Sequence, residues 1–240
     1  MLSTLLTACG GEQEIPRRPI TPLDHATTGT LRGEVRLDGP ALAMKTLRLT
    51  SECAALHPGA LEAGDALVHD GRVENAFVYV KDGLGERGFP LPTEPVVIDQ
   101  KGCLYAPHVV GVQVGQTLAF RNSDQTLHNV HGVPARSPAW NYALAARAAD
   151  RTVRFRAPEI MVPVRCDVHP WMQAFIGVLD HPYFAVTGPD GHYELPDLPP
   201  GEYTVAVWHE RFGLQETHVP VEPKGVKEVS FTYASPSAQR

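Results

Sequence analysis

Within seven residues, Cys166-Asp167-Val168-His169-Pro170-Trp171-Met172, the chain offers a thiol, an imidazole and a thioether at C-x2-H-x2-M spacing. These are soft donors that suit copper, and a trigonal set of one thiolate and two imidazoles with a long thioether contact marks an electron-transfer centre. A single loop between two strands supplies only one of the two imidazoles. The segment Asn122-Ser123-Asp124-Gln125-Thr126-Leu127-His128-Asn129-Val130-His131 offers the other. Taken singly, each residue has an ordinary use: a cysteine is a small buried hydrophobe, a methionine fills core space and a histidine sits satisfied in the core or on the surface. Taken jointly, three ligand types at one spacing, with a His-Asn pair upstream, point to a metal. Zinc is the competing ion, since one Cys, two His and a fourth ligand could hold it tetrahedrally. Structural zinc prefers paired cysteines, however, and a thioether is a poor zinc ligand, so the methionine decides for copper.

An upstream strand and a loop can present donors to one point only if a sheet framework holds both. The 240 residues include 22 prolines and 21 glycines, with no sustained heptad pattern and no run of 18 apolar residues. This composition excludes a coiled coil, a helical bundle and a membrane-spanning helix, and favours a turn-rich all-β protein. From Gly29 onward, short alternating segments predict strands at 30–37, 46–50, 66–68, 76–81, 96–99, 111–114, 117–122, 152–155, 162–165 and 174–179. Asp70-Gly71 accepts the positive φ values of a primed hairpin turn. Only residues 142–149 read as a short helical turn. The expectation is a β-sandwich with Greek-key wiring. A net charge of -6 without a long basic run gives no support to nucleic acid as a partner.

The pairing of N-x-D-x3-H-N, from Asn122 to Asn129, with C-x2-H-P-x-M, from Cys166 to Met172, resembles the cupredoxins, the blue-copper family; the short loop containing Pro170 is most similar to its amicyanin type. The resemblance covers roughly residues 30–180, with specific motifs only after Val96. It implies one type 1 copper ion held by His128, Cys166 and His169 with Met172 as the weak axial ligand, and Asn129 tying the two ligand segments together. It further implies that His169 reaches the surface within an apolar patch to which Pro170 and Trp171 contribute, unless those two serve only loop rigidity and packing. His128-x-x-His131, with His108 as a partner, raises a second metal site; since nothing in the sequence brings His108 and His131 to one place, they are read as surface or supporting residues. The paired H-x-H motifs of multicopper oxidases are absent, as are a Ser/His/Asp set and a placeable carboxylate pair. An electron carrier without catalysis of its own is therefore expected.

Further along, D-G-x-Y-x-L (Asp190 to Leu195) and L-P-P-G-x-Y-x-V (Leu198 to Val205) resemble the carboxypeptidase regulatory-like, or transthyretin-like, β-sandwich. That module is mainly structural, and a unit of about 50 residues is too small for a generous core, so it is expected to pack against the preceding domain. The expected organisation is a truncated lipoprotein signal at 1–9, a linker at 10–28, a cupredoxin domain at 29–181 and a carboxypeptidase regulatory-like domain at 182–240.

Leu5-Leu6-Thr7-Ala8-Cys9-Gly10 resembles the lipobox of bacterial lipoproteins, with Cys9 as the lipidated residue. Only eight residues precede Cys9, without the basic and apolar regions of a signal peptide, so the true start is expected upstream. The polar, proline-containing stretch 11–28 suits a tether. The expected location is the periplasm or the cell surface, with the membrane reached through a lipid anchor alone. In such an oxidising compartment Cys53 and Cys103 form a disulfide or remain two buried thiols, and the compartment favours the bridge. Six arginines (136, 147, 151, 154, 156, 165) face only Asp150 and Glu159 between residues 136 and 165. They either form a basic face that steers an acidic redox partner, such as a c-type cytochrome or a quinoprotein, or are solvated strand edges. The favoured function is a membrane-tethered carrier of single electrons. The alternatives are a copper-binding or copper-delivery protein without a redox partner, and a cell-surface interaction module whose metal is structural.

Overall fold

A computed structural model describes residues 15 and 17–235. Cys9, the lipobox and part of the expected linker lie outside these residues. The first strands are β1 (Gly29–Asp38), β2 (Val68–His69), β3 (Arg72–Val73) and β4 (Phe77–Asp82), with one helical turn, α1 (Ser51–Ala54), between β1 and β2. A middle group follows: β5 (Val96–Gln100), β6 (Tyr105–Ala106), β7 (Val109–Gln113), β8 (Leu118–Asn122), β9 (His128–Gly132), β10 (Trp140–Leu144), β11 (Arg151–Val153), β12 (Glu159–Arg165) and β13 (Gln173–Leu179). The last group is β14 (Phe184–Val186), β15 (His192–Leu198), β16 (Gly201–His209), β17 (Gly213–Val221), β18 (Val226–Glu228) and β19 (Phe231–Ala234). No helix among the described residues is long and apolar enough to cross a membrane.

The middle group closes on itself. A five-stranded sheet, β10-β9-β12-β13-β7, faces a four-stranded sheet, β11-β8-β5-β6, and the alternating apolar positions of both meet in one core that includes Ile98, Val112, Phe120, Val130, Val164 and Ile176. β13 runs parallel to β7 and β5 parallel to β8. Parallel neighbours cannot be joined by a hairpin, so the chain crosses between the sheets, as Greek-key wiring requires.

The first and last groups build a second sandwich. β1 pairs antiparallel with β15 and with β3, and parallel with β18 and β19; the opposite sheet is β14-β4-β16-β17. Leu31, Val35 and Leu37 of β1 share a core with Val78, Leu195, Val205, Val219 and Phe231. The strands β1 to β4, expected with the candidate metal-site unit, are thus hydrogen-bonded into the sheets of the C-terminal segment, whereas Leu49 and Cys53 of the β1–β2 connection pack on the other sandwich, which is inserted between β4 and β14. The alternation of β1 declares one buried face but does not say against what. At Gly33 a Cβ would lie 1.7 Å from the carbonyl oxygen of Val229, so only glycine lets β1 approach the β18–β19 connection this closely. Between the sandwiches a smaller cluster of Phe77, Tyr79, Val109, Met161, Leu179 and Ala206 packs the two together.

Local expectations fare unevenly. Asp70 and Gly71 take φ values of 51° and 77° in the β2–β3 hairpin, as the turn chemistry requires. Residues 142–149 do not start a helix: Tyr142 to Leu144 belong to β10, which pairs along its whole length with β9, and burial of Trp140 and Leu144 outweighs the helix propensity of the alanines that follow. The expected strand at 46–50 is reduced to a bridge between Thr46 and Glu62. Thr50 instead caps α1, its hydroxyl accepting from the Cys53 amide. Part of the expected tether lies on the body: Ile20 bridges Gly88, Arg17 donates to the Phe89 carbonyl at 3.0 Å, and Arg18 reaches Asp180 at 3.4 Å.

Where the chain passes from the inserted sandwich back to the second one, His181 is 5% exposed and its Nδ1 accepts the Tyr183 amide at 3.2 Å. Burial pushes its pKa down to about 4 from 6.5. A depressed histidine stabilises the fold fully above the unfolded value and loses that contribution as pH falls towards the folded one, because the unfolded chain then binds a proton that the fold refuses. The shift corresponds to about 3 kcal/mol. Urea midpoints should therefore fall between pH 6.5 and 4. His181→Asn, whose Oδ1 can still accept the Tyr183 amide, should remove about one proton from that slope.

Candidate metal centre

The loop 166–172 joins β12 to β13 and is closed by two backbone bonds, Cys166 N–H to the Met172 carbonyl at 3.2 Å and Met172 N–H to the His169 carbonyl at 2.9 Å. β9 lies beside β12, with His131 opposite Arg165, so the start of β9 reaches the same end of the sheet as the loop. The result is convergence. His128 Nδ1 lies 3.0 Å from His169 Nδ1, Cys166 Sγ lies 3.8 Å from His169 Nδ1, and the three residues each offer a donor atom within 4.8 Å of the others. Cys166 and His169 are each 3% exposed, His128 0% and Met172 1%. Met172 shares the core cluster of Cys166.

Hydrogen bonds set the protonation of these donors. His128 Nε2 lies 2.9 Å from Asp124 Oδ2. A carboxylate only accepts, so Nε2 carries a proton, and Nδ1 is the nitrogen that faces His169 and Cys166. Asp124 is itself held by the amides of Gly102 and Cys103, each donating at 2.7 Å. Asn122 pins the bend before His128, its Nδ2 donating to the carbonyls of Thr126 and Leu144 at 2.9 Å. Burial works against a charged His128, but hydrogen bonds to Cys166 and Asp124 outweigh it and raise its pKa. Burial likewise opposes a Cys166 thiolate, yet His128 and the amides of Asn129, His169 and Val168 bring the thiol below its ordinary value. For His169, burial first and the nearby His128 second lower the pKa. Thiolate sulfur and neutral imidazole are the forms that ligate a metal.

Asn129 links the two ligand segments. Its amide donates to Cys166 Sγ at 3.4 Å, its Oδ1 accepts the Asp167 amide at 3.0 Å, and its Nδ2 bonds Asn141. Its carbonyl receives Gln100 Nε2 at 3.0 Å and the Tyr105 hydroxyl. A thiolate and two imidazoles aimed at one dry point form a donor set that fits copper.

Not every expected feature is brought together. His169 does not reach the surface. The Trp171 ring lies 5.2 Å from it, centroid to centroid, and Cys53 and Cys103, bonded to each other with Cα atoms 5.7 Å apart, offer sulfur within 4.8 Å of its donor nitrogen. The covering segment between β1 and β2 is tied down there by the Cys53–Cys103 bond and by His57 Nε2, which meets the Gly102 carbonyl at 2.8 Å, while Trp171 Nε1 fixes the 166–172 loop to the Cys103 carbonyl at 3.0 Å. His108 and His131 lie apart, the first bonded to Glu210 and the second to Asp167, and together form no second site. Nor do the six arginines make one face at the centre. Arg136 and Arg154 bind Pro158 and Thr117 at the far ends of β12 and β8, whereas Arg165 adjoins Cys166. Asp124 was not singled out from the sequence, although it stands within N-x-D-x3-H four residues before His128.

No curated protein matches the chain in sequence. Similar solved structures include the copper-containing nitrite reductase of Thermus scotoductus SA-01, with 20% identity and a TM-score of 0.34 over 42% of this chain and 26% of that one. A mutant of amicyanin in its oxidised state has 23% identity and a TM-score of 0.32, covering 35% of this chain and 81% of that one. A purple cupredoxin from Nitrosopumilus maritimus has 19% identity and a TM-score of 0.30, covering 35% and 97%. The family model described as the carboxypeptidase regulatory-like domain matches residues 172–234. The chain is therefore an all-β protein whose residues 172–234 match the carboxypeptidase regulatory-like domain.

Proposed function

We propose that this chain is a type 1 copper protein that carries single electrons between redox partners and has no catalysis of its own. The observation that supports this best is the convergence of His128, Cys166 and His169 at one buried point, with a thioether residue closing the same loop. Copper bound there would supply reversible one-electron chemistry. The chain's own residues hold the donors before any ion arrives: Asp124 orients His128, the Asn129 amide orients the Cys166 sulfur, and the β12–β13 hairpin end carries His169. Donors fixed by a rigid sandwich and shielded from water need little rearrangement when the charge at the centre changes.

Leu127 and Val168 are each 48% exposed, Pro170 is exposed and Trp171 half-buried. These residues offer an apolar approach for a partner such as a c-type cytochrome or a quinoprotein, with the electron passing by way of Trp171 rather than an exposed imidazole. Anchoring through Cys9 at the periplasmic or outer face of a bacterial membrane belongs to the same proposal, and the Cys53–Cys103 bond favours an oxidising compartment. The test is stopped-flow mixing of the oxidised, copper-loaded chain with a reduced c-type cytochrome. The visible thiolate-to-copper band should bleach in step with cytochrome oxidation and return on adding an oxidant. A colourless copper complex, or a band indifferent to the cytochrome, would favour copper delivery instead.

A further inference from the structure

The donor atoms at the metal centre do not end with its own ligands. Cys53, Cys103 and His169 lie within 4.8 Å of one another, as do Cys103, Asp124 and His128, and all of these residues are buried. His169 belongs to both the sulfur pair and the His128–Cys166 set, so the two sets form one continuous cluster. A disulfide needed only to staple the β1–β2 segment to the body could sit anywhere along their contact; this one sits against an imidazole.

We propose that reduction of the Cys53–Cys103 bond creates a Cu(I) site formed by Cys53, Cys103 and His169, a loading position that adjoins the His128–Cys166–His169 centre. This goes beyond electron carriage, and it stands on side chains of which only His169 serves both sites. In the reduction step a dithiol supplies two electrons and two protons. The S–S bond breaks, two thiols form, and the reductant leaves as its own disulfide. Each thiol gives up its proton as its sulfur takes a Cu(I) ion, because the thiolate is the ligating form. Two thiolates and one imidazole are a soft set of the kind that selects Cu(I).

Both cysteines stay beside His169 without the covalent bond. Cys103 is held by its amide to Asp124 at 2.7 Å and its carbonyl to Trp171 at 3.0 Å. Cys53 is held by the Thr50 cap, and its neighbour Glu52 accepts the Thr126 hydroxyl at 3.0 Å. The ion held there would need only an exchange of the two sulfurs for Cys166 and His128, with His169 as the common ligand.

The test uses the full chain carrying Cys9→Ser and Cys166→Ser, which leaves only the two cysteines in question. Anaerobic titration with Cu(I) against a chromophoric chelator should give one bound ion after dithiol reduction and none in the oxidised protein. X-ray absorption should read two sulfurs and one nitrogen; adding Cys53→Ser and Cys103→Ser should abolish binding, and adding His169→Ala should remove the nitrogen. Core amides of the reduced protein should keep their protection in hydrogen exchange. Three results would overturn the proposal: no more Cu(I) bound than by the variant lacking Cys53 and Cys103, a sulfur-only shell indifferent to His169→Ala, or loss of core protection on reduction. Failure of the electron-carrier reading would appear separately, as a missing visible band in the oxidised chain with Cys166 intact.

Discussion

Cys166→Ser is expected to abolish the visible band of the copper-loaded protein and to lower copper affinity by more than the roughly 10–100-fold that loss of a residue supporting a ligand costs. The band needs a thiolate bound to the ion, and Cys166 is the only free cysteine among the described residues. Its sulfur accepts the Asn129 amide at 3.4 Å, and His128 with three backbone amides favours the thiolate over the thiol. A serine oxygen can accept the same amide and fills nearly the same volume, but it is a hard donor that remains protonated and leaves two imidazoles to hold the ion. Visible and EPR spectra of the two proteins, with copper measured per chain, check this. A variant that keeps the band would move the sulfur ligand elsewhere.

Asp124→Ala should be the most destabilising change near the centre, at about 3–5 kcal/mol, because it leaves buried partners of a carboxylate without an acceptor. Three donors depend on that side chain: the amides of Gly102 and Cys103 and Nε2 of His128. Methyl in place of carboxylate strands the Cys103 amide in a site where water does not reach, and frees the His128 ring to turn or to change tautomer. Copper affinity should fall by about 10–100-fold on this account alone. Urea unfolding reads the first effect and chelator competition the second. Asp124→Asn should lie between wild type and alanine in both readouts, since its one carbonyl oxygen can replace Oδ1 or Oδ2 but not both, and its amide nitrogen, itself a donor, then faces at least one of the three N–H groups.

The candidate donors were legible in the sequence because Cys166, His169 and Met172 share one loop and the chemistry of each is distinctive at that spacing. The strands were legible where alternation and turn residues coincide, as around Asp70-Gly71 and in β8 and β13. What escaped depends on contacts distant in sequence. No local pattern reveals that residues 29–38 pair with 226–234, since a half-buried strand looks the same whatever covers it. The cover over His169 was hidden for a similar reason: it comes from a segment with little regular structure, whose only local signal is a Thr cap. The cysteines at 53 and 103 could be paired on general grounds, but not placed against an imidazole. Asp124 stood in the quoted motif unassigned, because its role appears only when the Gly102-Cys103 turn is set beside it.

The interleaving of the two sandwiches bears on biosynthesis. A nascent polypeptide exposes β1 early, yet the Glu34 amide finds its Ser230 acceptor only 196 positions later. The inserted sandwich is contiguous from residue 96 to 179 and needs no strand from β15 to β19 to close. One edge of β1 must meanwhile stand unzipped, a sticky ribbon open to chaperones, until β18 and β19 have been made.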